Sequence, residues 1–165
     1  DDDGSADLSY IEAAAAEIAP VLRPGAIVVN KSTVPVGSAR VVELVLQRDD
    51  VKVVSNPEFL REGTAVHDFL HPDRVVIGSD DAGAAGTVAA LYEPLDTEII
   101  LTDAASAETI KYAANGFLAM KISFVNAVAG VESPRPGTEA ALEAMVIALA
   151  CIESVKTGAP VEVVR

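Results

Sequence analysis

The sequence predicts an α/β fold: an incomplete doubly wound parallel sheet of about four strands, then a long central helix and a separate C-terminal helix. Three observations carry this. Short apolar runs of strand length alternate with helical segments up to residue 104. The alternation then stops, and within residues 107–131 only Gly116 and, at the far end, Gly130 interrupt a helical composition. Finally, Ser133-Pro134-Arg135-Pro136-Gly137 breaks the chain before a last helical stretch.

Residues 8–22 are alanine-rich with helical apolar spacing, and Arg23-Pro24-Gly25 stops them. Residues 26–29 form an apolar run of the buried-strand type. A helix is expected over 38–47 with Ser38 as its N-cap, because a serine oxygen can accept an orphan N–H of the first turn. Val51-Lys52-Val53-Val54 reads as the second strand and Arg74-Val75-Val76-Ile77, closed by Gly78, as the third. Residues 82–91 read as a helix, with Gly83 and Gly86 lowering its propensity. Residues 97–101 complete the set. Apolar strands separated by helices imply a parallel sheet covered on both faces. A helix over 107–131 would run roughly 35 Å at the usual rise per residue. The last helix covers 138–157 with Gly158 as its stop, and Val161-Glu162-Val163-Val164 reads as a strand.

Composition narrows the function. The 165 residues suffice for one domain with a real core, and half are hydrophobic, which excludes a disordered tail. Acidic residues outnumber basic ones 25 to 12, for a net charge of −13. That field repels phosphate backbones and anionic membranes, so neither nucleic acid nor membrane is an expected partner. The single cysteine, Cys151, allows no internal disulfide and favours a reducing compartment. The acidic start shows no leader peptide, and the longest apolar run, 144–152, is too short to span a bilayer. The expectation is a soluble, cytoplasmic protein.

Three segments could carry chemistry. Lys31-Ser32-Thr33-Val34-Pro35-Val36-Gly37 follows a strand directly, where open α/β sheets bind ligands. Its hydroxyls could contact a cofactor or a water; it could equally be a plain strand-to-helix turn. Asn56-Pro57-Glu58-Phe59-Leu60-Arg61-Glu62-Gly63 follows the next strand. Asn56 suits a cap and Pro57 a first helical position, so a short helix would set Glu58 and Glu62 on one face. Those carboxylates could act as base and ligand anchor, or form a solvated acidic face. Lys111 and Asn115 are four apart on the long helix, a charge and an amide suited to stabilising an oxyanion, unless both simply face water. His67 and His71 are four apart but no third ligand is evident, so no metal is expected. Cys151 sits among Ala, Ile and Leu and reads as an inert packing residue.

Taken in order, five stretches resemble the UDP-glucose/GDP-mannose dehydrogenase family, on its UDP-glucose-oxidising branch. They are residues 6–13, Lys31 to Gly37, Asn56 to Gly63, His71-Pro72-Asp73-Arg74-Val75-Val76-Ile77-Gly78, and Ala107-Glu108-Thr109-Ile110-Lys111-Tyr112-Ala113-Ala114-Asn115. The resemblance covers about residues 4–130 and implies a Rossmann-like fold, NAD as cofactor and a UDP-sugar as substrate. It implies oxidation of UDP-glucose to UDP-glucuronate through an aldehyde trapped on a cysteine. By the same resemblance, Thr33 contacts the cofactor and holds a catalytic water, and Glu58 is the base in thioester hydrolysis. Glu62 lies near the nicotinamide; Glu58, Phe59, Leu60, Arg61 and Glu62 line the sugar nucleotide. Lys111 and Asn115 bind substrate and stabilise the oxyanion. The implied division is 1–104 as the second part of the NAD-binding domain, 105–131 as a connecting helix, and 132–165 as a terminal segment of different origin. Homo-oligomerisation through exposed apolar surface is also expected.

The sequence departs from the family pattern in two ways. No Gly-x-Gly-x-x-Gly occurs in it, and Cys151 lacks the Cys-x-Pro-Lys-Asp setting of the family's nucleophile. The expectation is therefore a fragment without activity of its own; the alternative is a non-catalytic remnant that at most binds a partner. Residues 143–163 resemble the C-terminal end of Gfo/Idh/MocA-type oxidoreductases, which supplies a third reading.

Overall fold

The structure, a computed structural model, describes residues 7–130. In chain order it contains α1 (Ser9–Ile18), β1 (Ile27–Asn30), α2 (Ser38–Leu46), β2 (Lys52–Ser55) and α3 (Ala65–Leu70). These are followed by β3 (Arg74–Gly78), α4 (Ala82–Ala90), β4 (Glu98–Thr102) and α5 (Ala104–Val128). The expected last helix, the strand at 161–164, Cys151 and the tail at 143–163 lie outside the described residues. None of the described helices is long and apolar enough to cross a membrane.

The strand alternation sorts the core onto two faces. On one face Val51 and Val53 meet Ala15 of α1 and Ala39, Val42 and Leu46 of α2. On the other, Val54, Val75 and Ile77 meet Ala84, Ala85 and Val88 of α4. The small side chains of α1 and α4 let these helices lie close to their neighbours. Gly83 and Gly86 do not prevent α4 from forming, because Asp81 caps it by accepting from the Ala84 N–H at 2.8 Å.

The strands stand in the order β1-β2-β3-β4. β1 and β2 are parallel, with Asn30 opposite Ser55, and β3 and β4 are parallel over five residue pairs. The sheet differs from the all-parallel expectation where the two pairs join: β2 meets β3 antiparallel, through Ser55 and Gly78 alone. The reason lies in the connection. Residues 56–63 form irregular chain and a turn instead of the expected short helix, and α3 is only six residues long. No crossover helix carries the chain back over the sheet, so it re-enters reversed.

Three helix boundaries differ from expectation. The first turn of α2 is entered through Gly37 at φ 96°, a left-handed conformation that glycine adopts freely. Ser38 is therefore the first helical residue, not the cap, and its hydroxyl donates back to the Pro35 carbonyl at 2.6 Å. α1 ends at Ile18 in a turn whose carbonyls of Ala19 and Leu22 accept from the Arg48 guanidinium. Arg48 also binds Asp50, which holds the Asp50 carboxyl down at about 2. α5 starts earlier than expected because Asp103 caps it, accepting from the Ser106 N–H at 2.8 Å and the Ser106 hydroxyl at 2.6 Å. The chain divides into two compact units between Lys111 and Tyr112, within α5.

Within the first unit, Gly78 is where β3 passes the start of α5. A Cβ there would lie 2.5 Å from both the Ala107 Cβ and the Asp103 carbonyl oxygen. Gly78→Ala should therefore lower stability by about 1–3 kcal/mol through overpacking. Gly86→Ala, with nothing within 4 Å of the added methyl, should raise stability by roughly 0.5–1 kcal/mol from helix propensity. Urea denaturation of the two variants checks the opposite signs.

Candidate functional site

Because β1 and β2 run parallel, the loops that follow them leave the same carboxyl edge of the sheet. A cleft of about 400 Å³ opens there, with residues 57–61 along one wall and Arg74, Val75 and Tyr92 among the others. The antiparallel entry of β3 makes the opposing wall, since its first residues run beside the chain that leaves β2.

A buried knot anchors that wall. Asn56 is 2% exposed. Its backbone N–H donates to the Asn30 carbonyl at 2.9 Å and its side-chain amide to the Val76 carbonyl at 2.8 Å. Its Oδ1 accepts from the Tyr92 hydroxyl at 2.5 Å and from Lys31 Nζ at 3.1 Å, and Lys31 also donates to the Tyr92 oxygen at 3.0 Å. Sequence reasoning took Asn56 as a helix cap. The structure spends its side-chain amide on three groups, the Val76 carbonyl, the Tyr92 hydroxyl and the Lys31 ammonium, and the capping role disappears.

The next residues follow from this anchor. Pro57 is buried, Glu58 and Phe59 are half-buried, and Leu60 is exposed; all line the cleft. The Phe59 ring has the Arg74 guanidinium carbon 5.3 Å from its centroid and Lys111 Nζ at 5.0 Å, within the range of cation–π attraction. Lys111 is 8% exposed and has no carboxylate partner among the described residues. Arg61 is held differently. Its backbone N–H, Nε and Nη2 all donate to the Asp68 carboxylate, which also accepts from the Thr64 hydroxyl.

A second anchor joins the first unit's end of α5 to the sheet. Glu108 is 3% exposed. Its carboxylate accepts from the Gly37 N–H at 2.6 Å, the Ala39 N–H at 2.9 Å and the Ser55 hydroxyl at 3.0 Å. It thus supplies from a distant helix the cap that Ser38 was expected to give.

The structure brings together Glu58, Phe59, Leu60 and Arg61 on the cleft, with Lys111 against Phe59. It does not bring Thr33 or Glu62 to the cleft lining. Thr33 is exposed on the loop after β1, and its hydroxyl has no partner among the described residues. Glu62 is exposed in the turn before α3, so Glu58 and Glu62 do not share a helical face as expected. Asn115 is exposed and lies past the unit division. His67 and His71 line the cleft with ring centroids 4.9 Å apart. Among the described residues no three His, Cys, Asp or Glu side chains gather as metal ligands would. Lys31, Tyr92 and Glu108 were missed as site residues. A signal existed for Glu108, which lies one helical turn before Lys111 in the same quoted stretch.

Polar loops at the carboxyl edge of a parallel strand pair, beside a cleft with free donors, define a nucleotide-binding α/β protein. Comparison with known proteins makes this specific. Residues 1–96 match the NAD binding domain of the UDP-glucose/GDP-mannose dehydrogenase family, and residues 105–135 match its central domain. The chain belongs to that family. It is 49% identical over 133 residues to UDP-glucose 6-dehydrogenase TuaD of Bacillus subtilis, covering 78% of this chain and 29% of the relative. It is 51% identical over 136 residues to UDP-glucose 6-dehydrogenase of Rhizobium meliloti, covering 77% and 31%. A UDP-glucose dehydrogenase structure from Pyrobaculum islandicum aligns at TM-score 0.68 with 47% identity, over 76% of this chain and 31% of that one. A GDP-mannose dehydrogenase structure from Pseudomonas aeruginosa aligns at TM-score 0.69 with 35% identity, over 76% and 31%. The chain therefore spans about a third of the relatives' length, in agreement with a fragment. Toward NAD, Thr33 presents an exposed hydroxyl with no partner among the described residues, while the sequence holds no Gly-x-Gly-x-x-Gly to cradle a pyrophosphate.

The Arg61–Asp68 pair has a pH signature. The Arg61 side chain holds the Asp68 carboxyl far below the usual carboxylate range, against an opposing push from burial. A depressed carboxylate contributes order above its unfolded pKa and loses it as pH falls toward its folded one. The Arg61 Nε proton should therefore stay hydrogen-bonded at neutral pH and be released only on acidification well below the ordinary carboxylate range. Carboxyl carbon NMR should place the Asp68 midpoint below that of a free aspartate, and Asp68→Asn should release Arg61 at every pH.

Proposed function

We propose that this chain carries part of the sugar-nucleotide site of an NAD-dependent UDP-glucose 6-dehydrogenase and does not turn over alone. One observation carries the reading: the buried Lys111 ammonium lies 5.0 Å from the centre of the Phe59 ring, in the segment that lines the cleft. A desolvated cation beside a segment that lines the cleft supports this reading, because oxidation of a sugar hydroxyl develops negative charge on oxygen. When bound, NAD supplies the hydride acceptor. In this reading Glu58 is the base in thioester hydrolysis, Lys111 holds the substrate oxygen, and Thr33 and Glu62 serve the cofactor. Phe59, Leu60 and Arg61 give the nucleotide-sugar its wall. In a chain of net charge −13, Lys31, Arg74 and Lys111 are the local cations that offset the repulsion of a diphosphate.

The glycine cradle and the family's nucleophilic cysteine have no counterpart in the sequence, which supports the absence of turnover. The protein is read as cytoplasmic, with the division at residue 104 separating the NAD-binding part from the connecting helix. A remnant that binds a partner is the second reading, favoured by the exposed Phe117, Leu118, Ile122 and Val125 on α5, a face that also suits self-association.

Mixing the chain with NAD and UDP-glucose should give no NADH absorbance. Titration with UDP-glucose should shift the NMR signals of Phe59, Leu60 and Lys111. Sustained NADH production would overturn the absence of turnover, and an unmoved Phe59–Lys111 set would favour the partner-binding remnant.

A further inference from the structure

We propose that Glu108 is the positioning residue of this site, a buried carboxylate that holds three functional segments in register with Lys111. The functional meaning rests on the dehydrogenase reading above; the clamp itself stands on geometry alone.

Each group that Glu108 holds sits at a junction. Gly37 ends the loop that carries Thr33, and its N–H donates to Glu108 Oε2 at 2.6 Å. Ala39 lies in the first turn of α2, and its N–H donates to Oε1 at 2.9 Å. Ser55 is the last residue of β2, immediately before Asn56, Pro57 and Glu58, and its hydroxyl donates to Oε1 at 3.0 Å. Lys111 lies one turn further along α5 and meets Phe59. A single carboxylate therefore fixes the end of the loop that carries Thr33 and the start of the 56–63 segment relative to the helix that bears the cation.

The chemistry favours this assignment over a simple helix cap. No lysine or arginine pairs with Glu108 among the described residues. Its charge is met by N–H groups at the positive end of α2 and by one hydroxyl, which form short, directional, charge-assisted bonds. A local cap was available in Ser38, yet its hydroxyl is turned back to Pro35, and the acceptor comes from 71 residues away. A cap needed only for α2 gains nothing from that distance. A cap that registers α5 against the sheet edge requires it.

The test uses the full chain labelled for NMR, without substrate. In the wild type, the Lys111 ε-methylene protons should be shifted upfield by the Phe59 ring, and Phe59→Leu should abolish that shift. In Glu108→Gln, an amide nitrogen replaces one acceptor. Exchange of the Gly37 and Ala39 amides should then speed by about tenfold or more relative to β2 and β3 amides, and the Lys111 ring shift should be lost. Faster exchange spread over all amides, with the ring shift intact, would show a stabilising role only and overturn the proposal. So would no change at either place. If Glu108→Gln does not fold, Ser55→Ala serves, since it removes one hydroxyl and leaves the carboxylate. It should speed the Asn56 amide and weaken the Lys111 shift, and an unchanged shift would overturn the proposal. Failure of UDP-glucose to bind the wild type would remove the dehydrogenase reading and leave the clamp standing, so the two failures are distinguishable.

Discussion

The arrangement of this protein turns on one buried carboxylate. Glu108 lies in the interior of a strongly acidic chain, where an ion without partners would be expensive. It is tolerated because α2 presents N–H groups that need an acceptor and Ser55 presents a hydroxyl. The helix gains a cap, the carboxylate gains its solvation, and α5 is tied to the carboxyl edge of the sheet. Close packing at Gly78 is the apolar half of the same junction, since β3 can approach α5 only without a side chain at that position.

A second constraint gives the cleft its shape. In a fully parallel sheet, β3 would leave the same edge as β1 and β2. Its reversal instead lays its first residues beside the chain emerging from β2, where Asn56 reaches Val76 and Phe59 reaches Arg74. The wall is therefore a non-helical segment pinned at one end by a buried amide. Irregular backbone that is pinned in this way can present successive side chains and backbone groups to a ligand without the spacing a helix would impose.

Family membership and partial coverage belong together in this chain. Identity near one half extends over most of its residues, yet these correspond to about a third of each relative. The cleft wall, the Lys111 helix and the loop bearing Thr33 all lie inside that third. Lys31 and Arg74 line the cleft as local cations within a chain of net negative charge.

The sequence by itself determined the fold class, the order of the elements and the family. Those depend on short-range periodicity, on glycine and proline punctuation, and on motif order, all of which are written along the chain. The helical character of α5 and the segments at 31–37 and 56–63 were legible for the same reason. Three features were decided only by tertiary structure. Asn56 and Pro57 have the local chemistry of a helix start, but a buried side-chain amide binding Val76, Tyr92 and Lys31 outweighs a weak local propensity. Ser38 lost the cap to Glu108 because a charged acceptor makes the stronger bond once folding delivers it. The reversal of β3 left no mark in its own residues, since an apolar strand has the same pattern in either direction. Contacts between distant residues carry no local period, so the chain could name the pieces of its site, and only packing could say which of them meet.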